Sequence, residues 1–395
     1  MFCRLRIFWH IIWVMSTFLA VFFFLYSILH LYLLLKARAA FSLGASGTAL
    51  LALFMVFMML LPVVTRFLEN GGLMPAARFT ATAGYTWMAL LFLFFSASIV
   101  IDAARLAVYL FTAAAAKRAQ LSMPSPRVCF LGTCAVAAAI AVYGWFEARH
   151  IRTEHVTLST PRLAARPGRL RIVQISDIHL GLTVGTDRLR RIADAVREAR
   201  PDLLVSTGDL LDGRMADEEG SVRLLAGLAP RLGKFAVTGN HEFYVGIGRA
   251  IEFTTRAGFR VLRGEAVGVD GGLNIVGVDD PAGPGYASSG ADEAALLASV
   301  PNGRFTLLLK HRPVMDRRSA DFIDLQLSGH VHDGQIFPFR LIVRFFFPLI
   351  EGLYSFPPHP ARLYVSRGSG TWGPPIRFLA PPEVTIIDVI GLSGR

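Results

Sequence analysis

No cysteine follows residue 134 in this chain of 395 residues; the three present, Cys3, Cys129 and Cys134, fall in its apolar first part. The polar remainder therefore has no disulfide framework and no thiolate metal site, so any metal there needs oxygen and nitrogen ligands. Acidic residues are almost missing from the first part as well. Residues 1–149 hold Glu69, Asp102 and Glu147 against eleven Lys and Arg, whereas residues 150–395 hold 26 acids against 29 bases. Most of the net charge of +11 thus lies beside apolar sequence, where it reads as membrane anchoring and not as a nucleic-acid track. Also absent are a Walker-type phosphate loop, a Ser-His-Asp pattern, internal repeats and low-complexity tracts. Their absence sets aside phosphate-loop enzymes, serine hydrolases and solenoids.

Apolar side chains, by contrast, are abundant. They make up 53% of the chain, with a mean hydropathy of +0.48, above the range of ordinary soluble domains. They gather in four runs near the ~20 residues that cross a bilayer: Ile7–Leu35, Thr48–Val64, Tyr85 to about Ala116, and Val128–Phe146. Ala37-Arg38-Ala39 resembles a cleavage site, but the run before it far exceeds a secretory core of ~7–15 residues, so a retained first span is expected. Asp102 and Arg105, three apart in the third run, are expected to pair with each other, with an intramembrane relay as the alternative. Four spans return the chain to the side on which it started. With that side inside, Arg4, Arg6, Arg66, Arg78, Arg149, Arg152, Arg162 and Arg166 lie inside, and Lys36, Arg38, Lys117, Arg118 and Arg127 outside. This excess favours a cytoplasmic C-terminal domain.

Residues 1–150 are accordingly read as a four-helix transmembrane region, 151–168 as a polar linker with Pro161 and Pro167, and 169–395 as a separate domain. In that domain strand-like runs alternate with helix-like ones, an α/β layered pattern. Strands are expected at Leu170–Ile175, Asp202–Ser206, Lys234–Thr238, Leu273–Val278 and Phe305–Leu309, then at Leu325–Ser328, Arg362–Ser366 and Val384–Ile390. Leu189, Ile192, Ala193 and Val196 mark a helix over Asp187–Ala199, since apolar residues three and four apart share a helix face.

Five polar clusters stand where those strands should end: Asp177-x-His179, Gly208-Asp209-x-x-Asp212, Gly239-Asn240-His241-Glu242, Lys310-His311-Arg312-Pro313 and Gly329-His330-Val331-His332. The carboxyl ends of strands are where ligands collect in α/β sheets, and Gly208, Gly239 and Gly329 read as sharp-turn positions. Each cluster alone has a blander reading as a turn, a cap or a satisfied core histidine. Their coincidence is what counts: five of the seven His beyond residue 150 fall in them, leaving His155 to the linker and His359 to a loop. The donors exceed what one tetrahedral ion takes and suit two ions sharing a carboxylate, with Asp209 as the bridge. The mixture of carboxylate and imidazole suits manganese, iron or zinc. A pair of such ions ~3.5–4 Å apart can grip a phosphoryl group as it inverts.

In this order, the motif set resembles the calcineurin-like metallophosphoesterase superfamily. More narrowly it is similar to membrane-associated phosphodiesterases of the YkuE/YaeI type and to transmembrane proteins with a metallophosphoesterase domain. The later stretch from Tyr364 through Arg367-Gly368-Ser369-Gly370-Thr371-Trp372 to Pro375 supports the narrower likeness, which covers residues 168–390. It implies an α-helical membrane domain followed by an α/β four-layer sandwich, two sheets face to face with helices outside. It also implies that Asp177, His179, Asp209 and His332 hold one divalent ion, and Asp209, Asn240, His311 and His330 the other. Manganese is the first choice, with iron, zinc and magnesium as alternatives. His241 would be no ligand but the proton donor to the departing oxygen, with Asp212 orienting its ring; a leaving alkoxide needs such a donor. One departure stands out: Asp333-Gly334-Gln335 occupies the place of the Gly-Gly-Gln usual in the nearer relatives, putting an extra carboxylate behind His332 or at the substrate's entrance.

The function implied is hydrolysis of a phosphomonoester, phosphodiester or diphosphate bond at a bacterial inner membrane. The partners implied are the bilayer and a phosphorylated, lipid substrate such as UDP-2,3-diacylglucosamine. A non-catalytic, metal-stabilised membrane scaffold and a nuclease are the competing classes. A non-ligand histidine aimed at the metals argues against the first. The near-balanced charge of the polar domain argues against the second and against a nucleic-acid partner. Oligomeric state is left open. Finally, Ile336–Phe356 reads as an apolar insertion carrying Phe337, Phe339, Phe345, Phe346 and Phe347 with Arg340 and Arg344 at helical spacing. It packs either into the domain's own core or against lipid at the rim of the metal site.

Overall fold

The computed structural model describes residues 2–114, 124–163, 168–270, 272–282 and 293–392. Ala116, Lys117, Arg118, Arg166 and Pro167 of the sequence reading lie outside the described residues. The chain forms two compact units, Met1–Gly144 and Trp145–Arg395.

The first unit consists of α1 (Phe2–Phe41), α2 (Ala45–Asn70), α3 (Met74–Ala114) and most of α4 (Pro126–Glu147). Each of these helices is long and apolar enough to cross a membrane, and the protein is a membrane protein. Where apolar faces meet apolar lipid, helices associate through close packing and polar links. Gly84 of α3 provides the first: a Cβ there would stand 2.9 Å from the Leu61 Cβ on α2. The Thr65 hydroxyl donates to the Thr80 hydroxyl at 2.9 Å, and the Trp87 indole N–H donates to His30 Nε2 at 2.9 Å. The expected Asp102–Arg105 pair does not form. Asp102 instead accepts from the Tyr32 hydroxyl at 2.7 Å and pairs with Lys36, both on α1, while Arg105 donates to the Pro124 carbonyl. A cation on the facing helix reaches the carboxylate and leaves the neighbour three residues along the same helix to cap a backbone group.

The second unit is built on two six-stranded sheets. In the first the order is β1 (Arg152–Thr160), β12 (Glu383–Gly391), β2 (Arg169–Ile175), β3 (Leu203–Ser206), β4 (Lys234–Ala236) and β5 (Arg260–Val261). In the second it is β10 (Gly352–Ser355), β11 (Arg362–Val365), β9 (Leu325–Ser328), β8 (Phe305–Leu309), β7 (Leu273–Gly277) and β6 (Glu265–Val269). Successive side chains of a strand face opposite ways. Ile172, Leu203 and Val205 therefore meet Ile275, Leu307 and Leu327 between the sheets. Their neighbours Val173, Ile175 and Leu204 face outward under α5 (Thr186–Ala199), α6 (Glu218–Ala226) and α8 (Ile247–Arg256). On the far side Val276 and Leu308 pack under Leu297 of α9 (Glu293–Ala298). Helix, sheet, sheet and helix make the four layers, and each expected strand lies within one residue or two of its observed bounds.

Part of the stretch read as a linker is a strand. Residues 152–160 form β1, parallel to β12 and in register from Arg152 with Glu383 to Thr160 with Gly391. His155 lies in this strand and not in a linker. Among the described residues the strand pairs with β12 alone, and its apolar contribution to the inter-sheet core is Val156 and Leu158, so its composition is polar enough to pass for a connection.

Candidate metal centre

β2, β3 and β4 run parallel in one sheet and β8 and β9 in the other, so their carboxyl ends lie along common edges. All five clusters emerge there. The edges are stitched together by backbone and ring: the Asp177 N–H donates to Gly208 O and the His179 N–H to Asp209 O, both at 3.0 Å. His311, from the second sheet, places Nδ1 2.7 Å from Thr207 O of the first. Gly208 has φ +98, and a Cβ there would stand 2.7 Å from His311 Nδ1, so this position needs both glycine's backbone and its lack of a side chain. Gly329 is different. Its Cβ would lie 2.0 Å from Asp177 Oδ2, so room for the carboxylate, more than a sharp turn, is what requires glycine; Gly239 likewise abuts Asp209.

The clustered side chains are themselves held in unusual backbone. Asp177, His179, Asp209, His330 and His332 all have φ between 49 and 75, the left-handed region that non-glycine residues enter only where surroundings impose it. Each leaves its strand end with a local reversal that aims the side chain sideways, across the sheet edges.

Seven polar side chains meet as a result. His179 Nε2 lies 3.0 Å from His332 Nε2, and His332 Nε2 lies 3.5 Å from Asp177 Oδ1. His330 Nδ1 lies 3.1 Å from His311 Nε2. Asp209 stands between the two sets, its Oδ2 3.3 Å from His311 Nε2 and 3.7 Å from His179 Nε2. Its Oδ1 accepts the His241 backbone N–H at 2.9 Å. Asn240, the first residue of α7 (Asn240–Tyr244), has a buried Oδ1 with no hydrogen-bond partner. Two of the three-residue groups able to hold an ion are Asp177, His179, His332 and Asp209, His311, His330. Ligand atoms sharing an ion at ~2.0–2.2 Å stand roughly 3–3.7 Å apart, so the residues fit divalent metal.

The third such group is His179, Asp212 and His241, but its members are already engaged with each other. His241 Nδ1 is 2.6 Å from Asp212 Oδ1, and the His241 ring stands edge-on to His179, centroids 4.6 Å apart. Tyr244 and Trp372, both exposed, flank the same ring at 5.2 and 6.1 Å.

Charge sorts the histidines into two kinds. Burial pushes His179 down to about 4, with His241 adding to the effect. Burial and His311 push His330 down to about 3, and burial and Arg377 hold His332 well below the usual imidazole value. These rings are neutral, with lone pairs available to a cation. Burial also opposes charge on His241, but Asp209 and Asp212 outweigh it and raise the ring to about 9. His241 is thus a proton carrier at neutral pH. His311 is raised too, against its burial, by Asp209 and Asp177.

Several further residues support this arrangement without belonging to the ion-holding groups. Glu242, buried, accepts from four backbone N–H groups, Gly239 and Leu210 at 2.7 Å, Asp209 at 2.9 Å and Leu211 at 3.3 Å, so one carboxylate clamps the ends of β3 and β4. Its place three residues after Gly239 is the capping spacing that could have revealed it. Arg377, with no exposed surface, donates to Gly370 O, His332 O and Arg367 O at 2.6, 3.0 and 2.8 Å. It binds the loop after β11 to the His332 backbone. Gln174, Thr207 and Ser176 form a relay of hydrogen bonds at 2.9, 2.7 and 2.5 Å that ends on Asp177 Oδ2. Asp333 Oδ1 pairs with Arg340 Nε at 3.1 Å, and it is Arg377 that stands 3.1 Å from His332 Nδ1.

The family model for calcineurin-like phosphoesterases matches residues 170–334. An uncharacterized metallophosphoesterase of Aquifex aeolicus is 40% identical over 259 residues, 65% of this chain and 98% of that one. The Bacillus subtilis metallophosphoesterase YkuE is 30% identical over 279 residues, 65% of this chain and 93% of its own. A transmembrane protein with metallophosphoesterase domain from Danio rerio is 32% identical over 268 residues, 64% of this chain and 60% of that protein. Among solved structures, a dimetal phosphatase from Danio rerio is 13% identical with TM-score 0.35, over 50% of this chain and 87% of that one.

Proposed function

The chain belongs to the calcineurin-like phosphoesterases, metal-dependent hydrolases of phosphoesters, and from that premise we propose a membrane-anchored, dinuclear phosphodiesterase or diphosphatase. Asp177, His179, Asp209 and His332 hold one ion, and Asp209, Asn240, His311 and His330 the other. The observation that carries this is Asp209 Oδ2, a single oxygen facing histidines of both sets at 3.3 and 3.7 Å. Divalent ions held there supply Lewis acidity to the phosphoryl oxygens and acidify the attacking water. Manganese is the proposed occupant, since carboxylate, amide and imidazole donors together suit it.

The chain's own part is proton delivery and placement. His241 carries a proton at neutral pH and gives it to the departing oxygen. Asp212, 2.6 Å from Nδ1, fixes the ring so that Nε2 is the donating atom and stabilises the charged form. Trp372 and Tyr244 flank His241 and lie where the leaving group departs. The proposed substrate is a lipid phosphodiester or diphosphate of the UDP-2,3-diacylglucosamine kind, acted on at the cytoplasmic face of a bacterial inner membrane. The test is a panel of lipid, nucleotide-sugar and generic diesters offered to manganese-loaded full-length protein in detergent, with metal content measured by mass spectrometry. Hydrolysis with about two ions per chain is expected; a single ion, or no turnover with any divalent metal, would sink the reading.

A further inference from the structure

Directly after the His332 turn the chain forms α10 (Phe339–Phe346), a helix none of whose residues is buried. Its side chains fall into stripes set by the four-residue repeat. Val343, with Phe347 just past the helix, packs inward against a core of Val331, Ile350, Leu363 and Val365. Leu341 and Phe345, and beside them Ile342 and Phe346, face outward at 62, 83, 50 and 69% exposure. Burial of large apolar side chains is favourable, so four left in water on two turns of helix forgo that gain. Soluble surfaces rarely carry contiguous apolar patches of this kind.

The charges nearby select what covers the patch. From Ile336 to Ile350 the charged residues are Arg340 and Arg344, and the first acid is Glu351. Bulky apolar residues on one face with arginine at the flank are what the boundary between headgroups and acyl chains accommodates. The same chain carries four bilayer-length apolar helices, so a bilayer is a permanent neighbour. The helix is also fixed to the metal centre at both ends. Arg340 pairs with Asp333, the residue after His332, and with Glu351, and the Phe347 ring meets the His330 ring edge-on at 5.1 Å.

We propose that α10 is an interfacial helix that lays Leu341, Ile342, Phe345 and Phe346 into the membrane surface. It thereby holds the mouth of the metal centre against the headgroups, so that the substrate is a phosphoester resident in the bilayer. The substrate half of this rests on the phosphoesterase reading; the membrane contact does not. Asp333 follows from it as the tether between helix and metal centre. Phe347 belongs to the site side of the helix and is left out of any test of the lipid side.

The experiment uses the full chain in phosphatidylcholine–phosphatidylglycerol vesicles, in a background of Cys3→Ser, Cys129→Ser and Cys134→Ser. A nitrobenzoxadiazole label is attached at Leu341→Cys, at Phe346→Cys, or at Asp187→Cys on α5, whose side chain is 91% exposed. Labels at 341 and 346 are expected to be quenched by lipid-borne nitroxide at least fivefold more than the label at 187, and to be shielded from iodide. Iodide quenching equal to that at 187 overturns the membrane contact, and so does shielding from both quenchers, which would mean a protein covers the helix. In the same vesicles, Phe345→Ser with Phe346→Ser should leave hydrolysis of soluble bis(4-nitrophenyl) phosphate unchanged and slow hexadecyl 4-nitrophenyl phosphate at least tenfold. Equal slowing of both esters overturns delivery from the bilayer. If the unsubstituted chain cleaves neither, the phosphoesterase reading fails and the quenching still decides the contact.

Discussion

Replacing Asp209 by Asn exchanges a charged oxygen that faces both histidine sets for a neutral amide, so the variant is expected to lose turnover and to bind less of both metals. His241→Ala should keep both metals while losing roughly 10²–10⁴-fold in rate, the usual worth of a positioned acid. Metal content of the two proteins side by side checks the division of labour; a metal-depleted His241→Ala would make that ring a ligand. Asp212 acts through His241. Because Asp209 and Asp212 hold the His241 pKa up at about 9, Asp212→Asn must lower it, and an acid that has to be protonated then fails sooner as pH rises. The alkaline limb of the kcat profile should therefore move to lower pH, and an unmoved limb would assign the limb to another group. At this scale the sequence was readable where Asp, His and Gly coincide after apolar runs. It placed Glu242 in the third cluster without a role, and it was silent on Arg377, because a buried side chain bound to backbone carbonyls leaves no recurring spacing of metal-binding residue types.

Between residue and domain, the loops after β3 and β4 are joined through the Glu242 carboxylate and its four backbone donors. Glu242→Gln turns one acceptor into a donor that faces other donors, at a cost of about 1–3 kcal/mol for a buried unsatisfied group. Urea unfolding of the metal-free protein should show that loss, and weaker metal binding should accompany it because Asp209 and Asn240 sit on the two loops. Unchanged stability would mean that the loops hold without the clamp. Elements buried on both faces, such as β3 and β8, are legible as unbroken apolar runs. β1 is not, because, of its nine residues, Leu158 and Thr160 are buried and Val156 is half-buried, while most of the others are exposed. α10 is a middle case: its apolar content is plain from the sequence, but whether Phe345 and Phe346 turn in or out depends on which stripe the neighbouring core accepts.

Charge is divided unevenly across the whole chain, with most of the basic excess in the helical part, and the positive-inside rule is the ground on which a cytoplasmic hydrolase domain is proposed. A green fluorescent protein fused after residue 395 should fluoresce in cells and an alkaline phosphatase fused there should be inactive; the reverse pattern would put the metal centre outside. The two-sheet architecture was legible from the strand pattern together with the family likeness, whereas the sheet order was not, because pairing partners far apart in sequence leave no local trace.

That order has a bearing on biogenesis. β12 lies between β1 and β2, parallel to one and antiparallel to the other, yet it follows every other strand among the described residues. While the chain is still on the ribosome, a gap stands in the first sheet beside the strand that leads to Asp177. The helices of the first unit are made and inserted long before that gap is filled. Domains tend to fold as units as they emerge, and the first sheet is not continuous until β12 joins it. Chain order thus sets the apolar helices ahead of the strand that closes the sheet beside Asp177, an order in which insertion into a membrane would precede completion of the metal-binding edge.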